Sequence, residues 1–229
     1  LYPPPAKTLS PIEKENPCIT FIPNPNSPTG TSIAETDVIS LLETGNKIVI
    51  DEAYIEFSPS STFIPYVEES SNIIISRTFS KAFGLASFRV GYLIASAGLI
   101  SNILPKYNWK SVNQLGQIAA HETLKNVDKI NERINAIIFY REKLSDLLHN
   151  YENYLKIIPS HANFLLLKFL NLECKNAFVE ALKNRQIYVR NLSHIEPLSN
   201  SVRITIPVGT DYERLEESII EFIEDIERE

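Results

Sequence analysis

Short apolar runs alternate with helical stripes along the first part of the chain. "CITFIP" (18–23), "KIVID" (47–51) and "NIIIS" (72–76) are brief apolar stretches bounded by turn residues, the pattern of buried strands. Between the first two, "AETDVISLLETG" (34–45) places its apolar residues at helical spacing and stops on Gly45. Strand, helix and strand in that order predict a βαβ unit with parallel strands and a right-handed crossover. "RVGYLIAS" (89–96) reads as a fourth strand, reached by a tight connection. Two helices are expected next, over 111–126 and 128–151. The second, at 1.5 Å per residue, would reach roughly 36 Å, long enough to bridge two lobes.

After Tyr151 the pattern changes. "LKIIPS", "ANFLLLKFL", "IYVRNL" and "SVRITIPV" read as strands, with a helix over "CKNAFVEALKNR" and another over the C-terminal "DYERLEESIIEFIEDIERE". The expected division is therefore a large domain over 1–151, carrying the bridging helix, and a small α+β domain over 152–229.

Composition narrows the class. Hydrophobic residues at 44% and charged residues at 22% belong to an ordinary globular chain. A net charge of −6 argues against a broad nucleic-acid footprint. No apolar run approaches the roughly 20 residues of a membrane span, so no membrane partner is expected. Cys18 and Cys174 lie far apart, and none of the four histidines has metal-ligand spacing, so no metal site is expected and the cysteines fit a reduced, cytoplasmic setting. The chain opens on "LYPPPAKTLS" and contains no methionine, which reads as a piece of a longer protein.

The candidate chemistry sits where strands end. "FIP" runs into "NPNSPTG", "IVI" into "DEAY" and "III" into "SRTFSK". Ligands of an open parallel sheet bind outside the carboxyl ends of its strands, so Asn24, Asp51, Tyr54, Thr78, Ser80 and Lys81 are expected to face one crevice. A lysine in a partly desolvated pocket is a nucleophile toward an aldehyde. Hydroxyls with a nearby arginine, here Arg89, hold a phosphate. A carboxylate ending a buried strand pairs with a ring nitrogen, and a tyrosine three residues on donates to a phenolic oxygen. Taken together, these groups describe a pyridoxal phosphate pocket.

"NPNSPTG", "DEAYIEF" and "SRTFSKAFGLASFRVG", in that order, resemble the fold-type-I pyridoxal-phosphate aminotransferases, and most closely the histidinol-phosphate aminotransferase group. "ANFLLLKF", "IYVRNLS" and "VRITIPVGT" extend the resemblance to the C-terminus. It implies an α/β fold of the aspartate aminotransferase type, a mostly parallel sheet in the large domain and a small α+β domain, with the N-terminal part of a usual member missing. It implies that Lys81 carries pyridoxal 5′-phosphate as a Schiff base, that Asp51 pairs with the pyridine nitrogen, that Tyr54 bonds the cofactor's phenolic oxygen, and that Thr78, Ser80 and Arg89 hold its phosphate. Arg203 resembles the arginine that takes the carboxylate of the amino donor, and Arg190 the one that grips a substrate phosphate. Ser27 stands where many members have an asparagine, and Asn24 is the expected substitute.

The implied reaction is amine exchange between histidinol phosphate and 2-oxoglutarate in histidine biosynthesis, carried out by a homodimer. Three alternatives stand beside it: a threonine-phosphate decarboxylase of cobamide synthesis, an aromatic amino-acid transaminase, and an inactive fragment serving as a binding module. Ala86 in "LASFR", in place of the proline usual in the decarboxylases, favours the transaminase.

Overall fold

The structure, a computed structural model, describes residues 18–228. The chain forms two compact units. One takes in the described residues up to Ser27 together with Thr31–Ile134, the other Pro28–Gly30 together with the described residues from Asn135 onward. Each is described separately.

In the first unit, β1 (Ile19–Pro23), β2 (Lys47–Asp51) and β3 (Ile73–Thr78) run parallel, with Pro23 level with Asp51 and Asp51 level with Ser76. Helix α1 (Glu35–Glu43) makes the crossover from β1 to β2. Glu35 and Asp37 in its first turn suit the positive end of the helix dipole, and Gly45, at φ +79°, ends it. A short helix, α2 (Tyr66–Glu69), precedes β3. The core comprises Val38 and Leu41 of α1, Ile48 and Ile50 of β2, Ile73 and Ile75 of β3, and Phe63 and Val67 beside them.

The fourth strand, β4 (Gly91–Ala95), pairs antiparallel with β3, Thr78 lying opposite Gly91. A Cβ at Gly91 would lie 2.7 Å from the Arg77 carbonyl oxygen, so the close approach of the two backbones requires glycine. Helix α3 (Ala97–Ile103), capped by the Ser96 hydroxyl, follows at once. Helix α4 (Gln114–Lys125) is capped by Asn113, whose Oδ1 accepts from Gly116 N–H at 2.7 Å. The long helix α5 (Val127–His149) contains the division between the two units, at Ile134 and Asn135.

The second unit is built on an antiparallel sheet in the order β5 (Leu155–Ile158), β6 (Phe164–Phe169), β8 (Ser201–Thr205), β7 (Arg190–Asn191). Helices α6 (Leu172–Asn184) and α7 (Thr210–Arg228) add Phe178, Tyr212 and Phe222 to its core. Leu165, Leu167, Phe169, Val202 and Ile204 meet Phe178, Leu182, Leu215, Ile219 and Phe222 in one core. Along α7, Leu215, Ile219, Phe222 and Ile223 recur at the three- and four-residue spacing that makes one buried stripe. Leu166 points to the other side of the sheet, where Leu192 and Leu198 cover it. Gly30 packs so tightly on this unit that a Cβ there would lie 2.1 Å from Ser160 Oγ, and its carbonyl accepts the His161 N–H at 2.7 Å. Strand β7 is shorter than the pattern of "IYVRNL" predicts: Gln186 turns the chain at φ +58° and Tyr188 is 80% exposed, so only Arg190 and Asn191 join the ladder.

Candidate active site

Parallel register brings three strand ends together. The N–H of Asn24, the residue after β1, donates to the Asp51 carbonyl at 2.8 Å, and the Glu52 N–H donates to the Ser76 carbonyl at 2.9 Å. Asn24, Asp51 and the Ser76–Thr78 segment therefore share one edge of the sheet, as the polar strand ends predict. Alternation across the pleat then sorts the next side chains to opposite faces.

Asp51 is exposed, and its Oδ1 is held by Ser76 Oγ at 3.0 Å and by the Ala53 N–H at 3.2 Å. Among the described residues Oδ2 takes no hydrogen bond. The carboxylate is thus oriented with one oxygen left to engage a cationic N–H. Glu52 points the other way and is fully buried. Arg77 meets it with two hydrogen bonds, Nε at 2.9 Å and Nη2 at 2.8 Å, while Thr62 Oγ1 and the Phe63 N–H satisfy the rest of the carboxylate. Burial, the largest single influence, would lower the Arg77 pKa, but Glu52, with Tyr92 adding to it, outweighs burial and the net shift is upward. Glu52 and Arg77 were not among the residues singled out from the sequence. Each sits one position after a member of the Asp51–Ser76 pair, and their contact stiffens the strand ends that carry it.

Tyr54 is buried, and the Lys81 amine lies 5.0 Å from the centroid of its ring, a cation–π distance. Lys81 itself is exposed, so the described residues of this unit do not build the partly desolvated surround expected of it. The loop that carries it is closed by its own backbone. Phe79 turns inward and its N–H donates to the Val90 carbonyl at 3.0 Å, while the Leu85 N–H donates to the Phe79 carbonyl at 2.8 Å. Thr78 Oγ1 donates to the Val90 carbonyl at 3.3 Å and accepts the Ser80 N–H at 3.0 Å, whereas Ser80 Oγ makes no hydrogen bond among the described residues. Arg89 occupies the left-handed region at φ +56°, uncommon for a residue with a side chain and a feature that clusters at functional loops. Its Nη1 donates to the Ala86 carbonyl at 3.0 Å. Asn113 ties α4 to the same loop through Nδ2 and the Phe88 carbonyl at 2.9 Å.

Asn24 is fully buried, its Oδ1 accepting the Ile33 N–H at 2.9 Å. Its Nδ2 has no partner among the described residues. The side chain lines a cavity of about 180 Å³ with Ser60 and Thr62, and Ser27 is exposed. The donor set of this edge fits pyridoxal phosphate on its own chemistry: an oriented carboxylate with an unengaged oxygen, an exposed amine beside a tyrosine ring, and the unengaged Ser80 hydroxyl on the loop that also carries Arg89. Among the described residues no cluster of His, Cys, Asp or Glu is arranged to hold a metal ion, and no helix is long and apolar enough to cross a membrane.

In the second unit, Arg190 of β7 and Arg203 of β8 are Cα partners in the antiparallel ladder. The Arg203 guanidinium carbon lies 4.9 Å from the centroid of the buried Phe164 ring. Arg190 is exposed and its side chain makes no hydrogen bond or ion pair among the described residues. The 13-residue spacing of these arginines in sequence becomes direct opposition through the register of β7 and β8.

A mostly parallel sheet thus carries a lysine, an oriented aspartate and a loop of hydroxyls at its carboxyl edge, and a small α+β unit follows in the chain. The sequence matches the aminotransferase class I and II family over residues 6–219, and the chain belongs to that family. It is 42% identical over 196 residues to the histidinol-phosphate aminotransferase of Caldanaerobacter subterraneus subsp. tengcongensis, an alignment that covers 85% of this chain and 54% of the relative. The chain thus spans about half the length of the curated relatives it matches. Among solved structures, the histidinol-phosphate aminotransferase of Clostridium acetobutylicum superposes with a TM-score of 0.77 at 28% identity, over 87% of this chain and 62% of that one. The Sinorhizobium meliloti histidinol-phosphate aminotransferase, solved with pyridoxal-5′-phosphate, gives 0.79 at 25% identity, over 91% and 58%.

Proposed function

We propose that this chain carries the catalytic edge of a pyridoxal-phosphate-dependent aminotransferase that exchanges the amine of histidinol phosphate with 2-oxoglutarate. The observation that carries the substrate reading is the opposition of Arg190 and Arg203. Two like charges directly across a ladder are unfavourable without an anion between or above them. A phosphorylated amine brings a dianion, for which paired guanidiniums are the matching donors. The likeness to histidinol-phosphate aminotransferases supports the same substrate.

Bound pyridoxal phosphate supplies an aldehyde that captures amines and a protonated ring that withdraws electrons from the substrate Cα. The chain's own residues do the rest. Asp51, oriented by Ser76, holds the proton on the ring nitrogen through its unengaged oxygen. Tyr54 donates to the phenolic oxygen, with Asn24 as the candidate second donor. Thr78, Ser80 and Arg89 bind the cofactor phosphate. The Lys81 amine would hold the cofactor and would take the proton from the substrate Cα as general base. Arg203 takes the carboxylate of glutamate, and Arg190 the phosphate of the phosphorylated amine.

The working form is a homodimer. Its support is the run of exposed apolar side chains at Leu104, Tyr107, Leu115 and Ile118, which a second copy would cover. Sedimentation of the protein as a monomer at assay concentration would remove that reading.

The test of function begins with an absorbance scan after incubation with pyridoxal phosphate. A visible band that Lys81→Ala lacks is expected, and its absence from the wild-type protein would favour the binding module. Amine transfer from histidinol phosphate to 2-oxoglutarate is then compared with carbon dioxide release from threonine phosphate and with transfer from aromatic amino acids. Faster release, or faster aromatic transfer, would replace the proposed substrate.

A further inference from the structure

Lys175 stands in the first turn of α6, three residues before Phe178 and seven before Leu182, on the face that packs into the core. It is fully buried. Its Nζ donates to Asn191 Oδ1 at 3.1 Å and to Ser193 Oγ at 2.5 Å. Both acceptors are neutral, and no carboxylate among the described residues pairs with the amine. Burial shifts its pKa downward. Placing an ammonium there without a counter-ion is costly, and lysine is almost never fully buried unless paired. The geometry around it shows what it holds.

Asn191 is one of the two residues of β7, and Arg190 is the other. The strand pairs with β8 alone, at two register positions, one of which sets Arg190 against Arg203. Like charges directly opposite in a ladder are unfavourable, and β7 is the edge strand that has to bear this. The next residue, Leu192, is buried beside Leu166 and Leu198, so the segment stays on the sheet in any case. Lys175 acts one step closer to the arginine. Its amine gathers the Asn191 amide oxygen and the Ser193 hydroxyl, which are themselves joined at 2.7 Å, into one knot beneath Arg190.

We infer that Lys175 is a positioning residue for the substrate phosphate: its buried amine, through Asn191 and Ser193, keeps Arg190 opposite Arg203 in the absence of ligand. This rests on the assignment of Arg190 to the phosphate of the substrate and extends it to a residue that touches neither substrate nor cofactor.

The test compares wild type with Lys175→Met, which keeps the length of the stem, Ser193→Ala, Arg190→Ala and the Lys175→Met/Arg190→Ala double variant. Two quantities are read in each: the Kd of inorganic phosphate by titration calorimetry, and KM for histidinol phosphate and for glutamate. Lys175→Met is expected to weaken phosphate binding and raise KM for histidinol phosphate by about tenfold, the loss of one charge-assisted contact, with KM for glutamate little changed. Ser193→Ala should move both in the same direction by a smaller factor. Because Lys175 acts through Arg190, the double variant should be no weaker than Arg190→Ala alone. Unchanged phosphate affinity in a folded Lys175→Met protein, losses that multiply in the double variant, or equal losses for the two substrates would each overturn the inference. Should Lys175→Met fail to fold, Ser193→Ala decides by itself: wild-type phosphate affinity there overturns it. An Arg190→Ala protein that binds phosphate normally removes the substrate reading and this inference with it, whereas a selective Arg190→Ala beside a silent Lys175→Met removes only the inference.

Discussion

The two compact units treat buried charge in opposite ways. In the first, Glu52 is fully buried and fully answered: Arg77 meets it with two hydrogen bonds, and Thr62 and the Phe63 N–H complete its shell. In the second, Lys175 is equally buried and meets only an amide oxygen and a hydroxyl, near two opposed arginines. The difference fits the proposed roles. On that reading the first unit holds Asp51 and Lys81 at fixed places on a sheet edge, and a self-neutralising pair behind that edge gives rigidity without adding field. The second would take the anionic part of the substrate, and a buried lysine met only by neutral groups is suited to that end of the sheet.

The largest expected effects break the chemistry of the first unit. Lys81→Ala should lower transamination by at least about 10²–10⁴-fold, since the general base and the covalent anchor go together, and the visible absorbance band should vanish. Lys81→Arg should be equally inactive, because a guanidinium cannot form the same bond. Substantial turnover in either variant, measured with glutamate and 2-oxoglutarate, would remove Lys81 from its role. Asp51→Asn should still bind pyridoxal phosphate but turn over at least about a hundredfold more slowly, the scale of losing one preorganised electrostatic contact. Near-normal turnover would make Asp51 a structural residue.

Next in size is the pair behind the edge. Arg77→Ala leaves the Glu52 carboxylate buried with hydroxyl and amide partners only, and should cost about 3 kcal/mol in urea denaturation. If the contrast between the units holds, this variant loses stability while its preference for histidinol phosphate over glutamate stays as it was. A shift in that preference would mean that the two kinds of buried charge serve the same end.

The smallest effect sharpens the contrast within the first unit. Glu56 is an acid whose Oε2 is buried without a hydrogen-bond partner among the described residues, and burial, the largest cause, raises its pKa above the ordinary 4.5. The folded protein therefore holds this proton at pH values where the unfolded chain has released it. Stability from Glu56 is fully present below pH 4.5 and is lost as pH rises through the raised value. Glu56→Gln, which cannot ionise, should escape that loss. Its stability relative to wild type should improve between pH 4 and pH 7, as followed by thermal melting. A constant difference across that range would show that Glu56 does not titrate differently in the folded state.

Much of the candidate site could be read from local order. The ends of β1, β2 and β3 are marked in the sequence because each apolar run stops at a polar cluster, and the βαβ pattern implies parallel strands, while the register that aligns Pro23, Asp51 and Ser76 is seen only in the fold. Lys175 was legible in part. Its spacing from Phe178 and Leu182 puts it on the buried stripe of α6, but its charge reads as surface, and only the core around it shows otherwise. Glu52 and Arg77, 25 residues apart, left no local trace of their bond.

The sequence by itself determined the periods: which segments could be strands or helices, where each had to stop, and which reactive side chains stood at those stops. Those are properties of a few neighbouring residues, set by side-chain alternation, capping and turn chemistry. Tertiary structure alone decided the pairings. It made β4 antiparallel through the close approach at Gly91, cut β7 to two residues where Gln186 turns the chain, and set Arg190 against Arg203 above a buried lysine. Pairings depend on contacts between residues far apart in the chain, and such contacts form only when burial of the whole core repays the entropy of bringing them together.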